Sequence, residues 1–312
     1  MKRIFLYLLL FLFLFQPAKT QQIQPVPESQ LINAKQLLQD LETLSSDRME
    51  GRRVGTPGGA KAREYVVRRF KETGVQAFKE SYVQPFDFTN RNNEKIQGAN
   101  VVGFVRGKKN PERYIVVSAH YDHLGIRNGE IYNGADDDAS GTSALFAFAE
   151  YFSKNRPANS IIFVAFDAEE AGLQGARKFV EQLPVKKEFV LLNVNMDMIA
   201  HNDRNELYAS GTRHYPYLKT FLEPIAKGAT VKLLLGHDAP NPPQDDWTNQ
   251  SDHYAFHQAK IPFIYFGVED HKDYHKPTDD FKNINQAFYV RAAETILTTI
   301  KSFDRNLLKS EL

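Results

Sequence analysis

Short apolar runs that alternate with amphipathic stretches constrain the fold of this chain most strongly. Apolar, often β-branched runs predict strands at residues 100–105, 114–119, 161–166, 189–196, 206–209 and 261–266. Apolar residues at helical spacing predict helices at residues 34–44, 58–73, 140–153, 173–182, 215–226 and 285–303. Because alternation of this kind is typical of α/β folds, we expect a three-layer αβα sandwich around a mixed, mostly parallel sheet.

Composition limits the kinds of site that the chain can build. With 312 residues, 42% of them hydrophobic, the chain can bury a large core, and we expect a flexible segment at residues 21–33 and a single domain at residues 34–312. The net charge of +1 gives no general attraction to nucleic acid. Because cysteine is absent, disulfides, thiolate ligands and a cysteine nucleophile are excluded, and any metal must be held by His, Asp and Glu.

The first twenty residues have the layout of a secretory signal peptide. Lys2 and Arg3 precede an apolar run at residues 4–15, and the small residues Ala18 and Thr20 follow it. The run is shorter than the ~20 residues that span a bilayer, although an uncleaved membrane anchor is the alternative. We therefore expect residues 1–20 to be cleaved, the mature protein to be secreted or periplasmic, and no stable membrane insertion to remain.

Polar motifs follow several of the predicted strands. Each of them places a histidine or a carboxylate where an apolar run ends or shortly afterwards, at residues 119–122, 134–141, 167–170, 195–198 and 274–279. Ligands of open α/β sheets gather at the carboxyl ends of the strands. We therefore expect these five segments to converge at one edge of the sheet.

The residue types suit a pair of divalent cations. A shared carboxylate can bridge two cations that lie about 3.5–4 Å apart. Asp136 lies in a turn before a helix and is the best bridging candidate, with His120 and Asp197 completing one site and Glu170 and His275 the other.

Two carboxylates remain for other work. Asp122 lies two residues after His120 on the same side of an extended strand, where it can hold the second imidazole nitrogen. Glu169 is next to a candidate ligand but is not needed as one. A free carboxylate beside activated water is what a general base requires.

Each motif taken alone has a simpler interpretation. His120 could be a polar strand end, the triplet at residues 136–138 a helix cap, and residues 169–170 a solvated turn. Asp197 differs, because an acid inside an apolar run is costly unless it is paired. All the simple roles would have to hold together, so the metal hypothesis is favoured. The other histidines are interpreted as surface or core residues: His123, His201, His214, His237, His257 and His271.

The motif set resembles that of the secreted bacterial zinc aminopeptidases of peptidase clan MH, which are relatives of glutamate carboxypeptidase II, the transferrin receptor ectodomain and glutaminyl cyclase. The resemblance extends over about residues 35–305. It rests on residues 118–125, 133–141, 167–176, 195–198, 251–256 and 275–279, and on a lead-in at residues 44–51 and 55–58.

This resemblance implies a zinc-peptidase catalytic domain that removes N-terminal residues from peptides. Two zinc ions would be bridged by Asp136, one with His120 and Asp197 and the other with Glu170 and His275. Glu169 would be the general acid/base, and Asp122 would orient His120. These two would be the catalytic residues.

The resemblance also implies a cis peptide bond between Asp136 and Asp137, and a position near the substrate pocket for residues 251–253. Expected substrates are peptides with a free N-terminus, and no obligate protein partner is evident. Two alternatives remain open: an enzyme like glutaminyl cyclase with a single zinc, and a non-catalytic binding ectodomain.

Overall fold

The computed structural model describes residues 25–78, 80–239 and 245–307. Within these residues the α-helices are α1 (Ala34–Leu44), α2 (Pro57–Thr73), α3 (Gly141–Lys154), α4 (Gln174–Glu181), α5 (Lys219–Gly228), α6 (His253–Gln258) and α7 (Gln286–Asn306). The strands are β1 (Gln76–Ala77), β2 (Val83–Thr89), β3 (Lys95–Val105), β4 (Asn110–His120), β5 (Gly125–Arg127), β6 (Glu130–Tyr132), β7 (Asn159–Phe166), β8 (Val190–Met196), β9 (Glu206–Ser210), β10 (Lys232–Leu235) and β11 (Phe263–Gly267).

Nine of these strands form one mixed sheet in the order β1-β3-β7-β4-β8-β11-β9-β10, with β2 paired to β3. The central strands β7, β4, β8 and β11 are mutually parallel. Antiparallel pairing joins β3 to β7 on one side and β9 to β11 on the other. The carboxyl ends of the four central strands therefore lie at one edge of the sheet.

Alternating side chains of the sheet enter two separate cores. In β7, Ile161, Phe163 and Ala165 pack into the larger core, which includes apolar residues of α1, α2, α3 and α7. The intervening Ile162, Val164 and Phe166 pack into a second core with residues of α4 and α6. Since successive strand residues point to opposite faces, helices cover both faces of the sheet. The expected αβα sandwich with a mixed, mostly parallel sheet is confirmed.

The predicted elements with strong periodicity are present, and the weaker ones were missed. The helix at residues 34–44 has the predicted bounds, and the Asn33 side chain accepts a hydrogen bond from Gln36 N at its start. Strands β2 and β10, the β5–β6 hairpin and α6 were not predicted. β2 contains Pro85 and pairs only with β3, so long-range pairing rather than local sequence makes it a strand.

The predicted signal peptide lies outside the described residues. The predicted flexible segment at residues 21–33 is described from residue 25 onwards, where the chain forms no helix or strand before α1. None of the helices in the described part of the chain combines the length and apolar character that crossing a membrane requires.

Candidate metal centre

Histidines and carboxylates converge at the carboxyl ends of the four central strands. β4 ends at His120, and Asp197 directly follows β8. Glu169 and Glu170 follow β7, and His275 follows β11. The convergence expected from the sequence is thus realised by the parallel pairing of strands that are distant along the chain.

The first donor group contains His120, Asp137 and Asp197. His120 Nε2 lies 3.3 Å from Asp137 Oδ1 and 3.5 Å from Asp197 Oδ1. One ligand atom from each residue lies within 4.8 Å of the others, and all three residues are buried. Burial raises the pKa of Asp197 and the nearby His120 opposes this rise, so the carboxylate depends on a positive partner.

The second donor group lies on the other side of Asp137. Asp137 Oδ2 is 3.1 Å from His275 Nε2, and Glu170 Oε1 is 3.5 Å from the same nitrogen. His123 Nδ1 joins the group, 2.8 Å from Glu170 Oε1 and 3.7 Å from Asp137 Oδ2. The two oxygens of Asp137 therefore face two different sets of donors.

The expected bridging residue, Asp136, faces away from both donor groups. Its Oδ1 accepts a hydrogen bond from Ala200 N at 2.6 Å, and its Oδ2 lies 3.1 Å from His271 Nε2. The position between the two groups belongs to Asp137, so the assignment from the sequence is wrong by one residue. Consecutive side chains in a tight turn point in different directions, and the motif alone does not say which one meets the histidines.

The cis peptide bond also lies one residue later than expected. It joins Asp137 to Asp138, not Asp136 to Asp137. Asp138 Oδ1 accepts a hydrogen bond from Gly141 N at 2.8 Å, at the start of α3, and its Oδ2 accepts one from His120 N at 3.1 Å. The third carboxylate thus caps the helix and also positions the main chain of a donor.

Two buried side chains fix this turn by hydrogen bonds to main-chain groups. Asp279 accepts hydrogen bonds from Asp136 N at 2.9 Å and from Asp137 N at 3.1 Å. The guanidinium of Arg52, fully buried, donates to the carbonyl oxygens of Leu44, Tyr121, Asn133 and Gly134 at 2.5–2.9 Å. Arg52 therefore ties the loop after β4 to the turn that carries Asp137.

We expect Arg52→Met to lower the free energy of unfolding by about 3–5 kcal/mol, because it leaves several buried carbonyl groups without a donor. The exposed neighbour Arg53 supplies a control. Arg53→Met should change stability by less than about 0.5 kcal/mol. Urea unfolding of both variants measures the difference, and equal midpoints would show that the Arg52 bonds contribute little.

Asp122 links the first donor group to the loop after β7. His120 Nδ1 lies 3.1 Å from the main-chain oxygen of Asp122 and 3.6 Å from its carboxylate Oδ1. The same Oδ1 accepts a hydrogen bond from Glu169 N at 3.0 Å. Both the main chain and the side chain of Asp122 are thus placed to orient His120.

Glu169 lies outside both donor groups and in a strongly negative environment. Burial raises the pKa of its carboxyl well above the usual range, His120 opposes this, and Asp252, Asp197 and Glu170 raise the pKa further. Asp252, in the segment expected near the substrate pocket, is fully buried. Glu169 is therefore a carboxyl group that lies beside the two donor groups and belongs to neither of them.

The donor atoms fit zinc. Among the described residues, His120 Nε2, Glu170 Oε1 and both ring nitrogens of His123 are buried without a hydrogen-bond partner. Buried polar atoms are costly when they lack a partner, and imidazole and carboxylate are ligands that zinc prefers. Burial raises the pKa of Asp137. The neighbouring His123, His120 and His275 lower it by more, so this pKa lies well below its usual range. A cation would replace the protons of these imidazoles.

Some residues of the site were not recognised in the sequence. Asp137 was visible as the middle member of the Asp triplet, and His123 lies within the quoted segment at residues 118–125. His271 has a local signal only in its proximity to His275. Arg52 and Asp279 act through main-chain groups far away in the sequence, so no local pattern indicates them.

The αβα sandwich thus carries two His–carboxylate donor groups at the carboxyl ends of its parallel strands, a donor set suited to a two-metal site. Residues 100–300 match the family model described as Peptidase family M28. This match covers more than half of the chain, and the chain belongs to peptidase family M28. The prediction of a zinc-peptidase relationship is thereby confirmed.

Similar proteins include aminopeptidase YwaD of Bacillus subtilis, which is 28% identical over 268 residues, covering 81% of this chain and 52% of the relative. This chain spans about half the length of the curated relatives that it matches first.

Two solved structures show the same fold. The zinc aminopeptidase BSAP from Bacillus subtilis has a TM-score of 0.72 at 17% identity, covering 87% of this chain and 95% of that chain. The glutaminyl cyclase of Porphyromonas gingivalis also has a TM-score of 0.72, at 15% identity, covering 87% and 99%. At these identities the likeness concerns the fold, and the site must decide between the two activities.

Proposed function

We propose that the protein is a two-zinc aminopeptidase that removes N-terminal residues from peptides. The observation that carries the proposal is the orientation of Asp137, whose Oδ1 faces His120 and whose Oδ2 faces His275. A carboxylate with its two oxygens directed to separate donor groups is suited to bridging two cations. His120 and Asp197 would complete the first zinc site, and Glu170 and His275 the second.

The protein's own residues then perform the proton transfers. When bound, the zinc ions supply Lewis-acid activation of the scissile carbonyl and of the attacking water. Glu169 accepts the proton of that water and passes it to the leaving amine. Asp122 keeps the His120 ring in place through its contacts with Nδ1.

Aromatic side chains pack close to the donor groups. Tyr274 stacks on His275, with ring centroids 4.0 Å apart. Trp247 is buried, and it packs with Tyr208 and Tyr265.

The main alternative is a glutaminyl cyclase, because the glutaminyl cyclase of Porphyromonas gingivalis has the same fold. The first donor group favours the peptidase, because His120 and Asp197 add a complete second set of ligands to Asp137. The same set argues against a non-catalytic ectodomain, which has no need of buried and unpartnered donors.

We expect the purified mature protein to carry two zinc ions per chain, and chelation to abolish cleavage of aminoacyl substrates. Zinc content by elemental analysis and parallel assays with aminoacyl anilides and N-terminal glutaminyl peptides test this. One zinc per chain with cyclisation of the glutaminyl peptide would establish the cyclase instead. Absence of bound zinc together with absence of both activities would favour the ectodomain.

We also propose that the protein is exported to the periplasm or secreted, on the basis of the charged start and the apolar run at residues 4–15. N-terminal sequencing of the mature protein should begin near Gln21. A soluble cytoplasmic protein that starts at Met1 would contradict export.

A further inference from the structure

His123 is a buried imidazole at the second donor group for which the proposed two-zinc arrangement has no role. It follows His120 by three residues, in the loop after β4, and its side chain is fully buried. Its Nδ1 lies 2.8 Å from Glu170 Oε1 and 3.7 Å from Asp137 Oδ2. These are the same two oxygens that His275 Nε2 approaches, at 3.5 Å and 3.1 Å.

The two imidazoles reach these oxygens from different directions. Their ring centroids are 6.0 Å apart and their planes are inclined by 56°. In a tetrahedral zinc site with metal–ligand distances of about 2.0–2.1 Å, neighbouring donor atoms lie about 3.3 Å apart. The four separations between the imidazole nitrogens and the carboxylate oxygens, from 2.8 to 3.7 Å, are centred on this value.

The contact of His123 with Glu170 does not have the geometry of a hydrogen bond. His123 Nδ1 and Glu170 Oε1 are both without a hydrogen-bond partner in the described part of the chain, although they are only 2.8 Å apart. His123 Nε2 is also buried without a partner there. A buried imidazole nitrogen without a partner is costly unless another interaction compensates for it, and at Nδ1 a metal bond would do so.

The turn before Asp137 is shaped to admit the His123 ring. A Cβ atom added to Gly134 would clash first with the main-chain oxygen of Asp137, and it would also lie 2.5 Å from His123 Cδ2 and 2.6 Å from its Cγ. Gly134 also has a φ of +55°, where residues with side chains are strained. The absence of a side chain at Gly134 therefore lets the imidazole lie against the main chain, next to the second group.

We propose that His123 is a fourth protein ligand of the second zinc, together with Asp137, Glu170 and His275. This inference rests on the proposed two-zinc function. It makes the two sites unequal: the second is closed by two imidazoles and two carboxylates, whereas the first has three protein donors and an open position. Open zinc positions admit water or substrate, so the first site can bind them directly, whereas the second would have to expand to five ligands to do so.

The test isolates the second site with His120→Ala, which removes an imidazole of the first site only. Zinc affinity is measured by competition with a chromogenic chelator, and zinc X-ray absorption counts the bound imidazoles. We expect one tightly bound zinc with two imidazoles. Adding His123→Ala should leave one imidazole and weaken binding by more than the roughly 10–100-fold typical of a residue that only hydrogen-bonds a ligand.

His123→Asn separates a ligand from a hydrogen-bond donor, because its amide nitrogen can replace Nδ1 as a donor to Glu170. Loss of one imidazole and weak binding in this variant support the proposal. The proposal is overturned if the zinc of His120→Ala has a single imidazole both with and without His123, and if the Asn variant binds zinc with normal affinity. This result would leave the two-zinc function intact. Binding of no zinc by His120→Ala overturns the proposal, and the absence of zinc from the wild type as well would overturn the proposed function.

Two controls separate these effects from misfolding. His257→Ala changes a histidine that contacts Tyr215 outside both donor groups, and it should leave zinc affinity and imidazole count unchanged. Thermal unfolding of the zinc-free variants should give similar midpoints. In the full wild-type protein, two zincs should share three imidazoles, and His123→Ala should reduce this number to two.

Discussion

Glu169→Gln should retain both zinc ions and reduce kcat by about 10²–10⁴-fold, because the amide keeps the shape of the side chain but cannot accept the proton of the attacking water. Glu169 lies outside both donor groups. Its raised pKa follows from burial, against the opposing effect of His120, and from the negative charges of Asp252, Asp197 and Glu170. Zinc content and kcat on an aminoacyl substrate measure the two effects separately.

The adjacent Glu170 supplies the matched control. Glu170→Gln replaces a donor whose Oε1 faces both His123 and His275, and it should lower zinc affinity at the second site. Loss of zinc in Glu169→Gln, with both ions kept in Glu170→Gln, would mean that the two roles are exchanged. Unchanged turnover in both variants would refute the metallopeptidase mechanism.

Asp137→Asn should have the second large effect, because this residue contributes to both donor groups. We expect loss of zinc from both sites and a fall in kcat/KM of about 10³-fold or more, consistent with the loss of metal-dependent catalysis. Asp136→Asn is the informative comparison, since Asp136 contacts Ala200 and His271 instead. It should retain two zincs and most of the activity.

This pair of variants tests the assignment of the central carboxylate directly. If Asp136→Asn lost both zincs while Asp137→Asn kept them, the original expectation from the sequence would be right and the assignment from the geometry would be wrong. Elemental analysis of the two proteins, purified in the same way, decides between them.

The sequence was informative wherever a local pattern had one structural outcome. The apolar run before His120 could only be a buried strand, and its polar end was correctly placed at the carboxyl edge of the sheet. The triplet at residues 136–138 was recognised as a site, but its members were not distinguished. Their directions depend on the backbone of the turn and on Asp279, which is remote in sequence.

Residues that act through the main chain or through a folded neighbour could not be inferred. His123 gains its role from proximity to Glu170, and that proximity exists only after β4 and β7 have paired. The edge strand β2 was missed because its pairing with β3 outweighs its weak local preference.

The contacts of Arg52 bear on where a working fragment of this protein can start. The family match begins at residue 100, and all the donor residues lie after it. Yet Arg52 donates to the carbonyl oxygens of Tyr121 and Gly134, at the two ends of the segment between β4 and the turn that carries Asp137. A fragment trimmed to the matched region would keep all the donor residues but lose the hydrogen bonds of Arg52. An active fragment should therefore begin upstream of Arg52, even though that segment contributes no ligand itself.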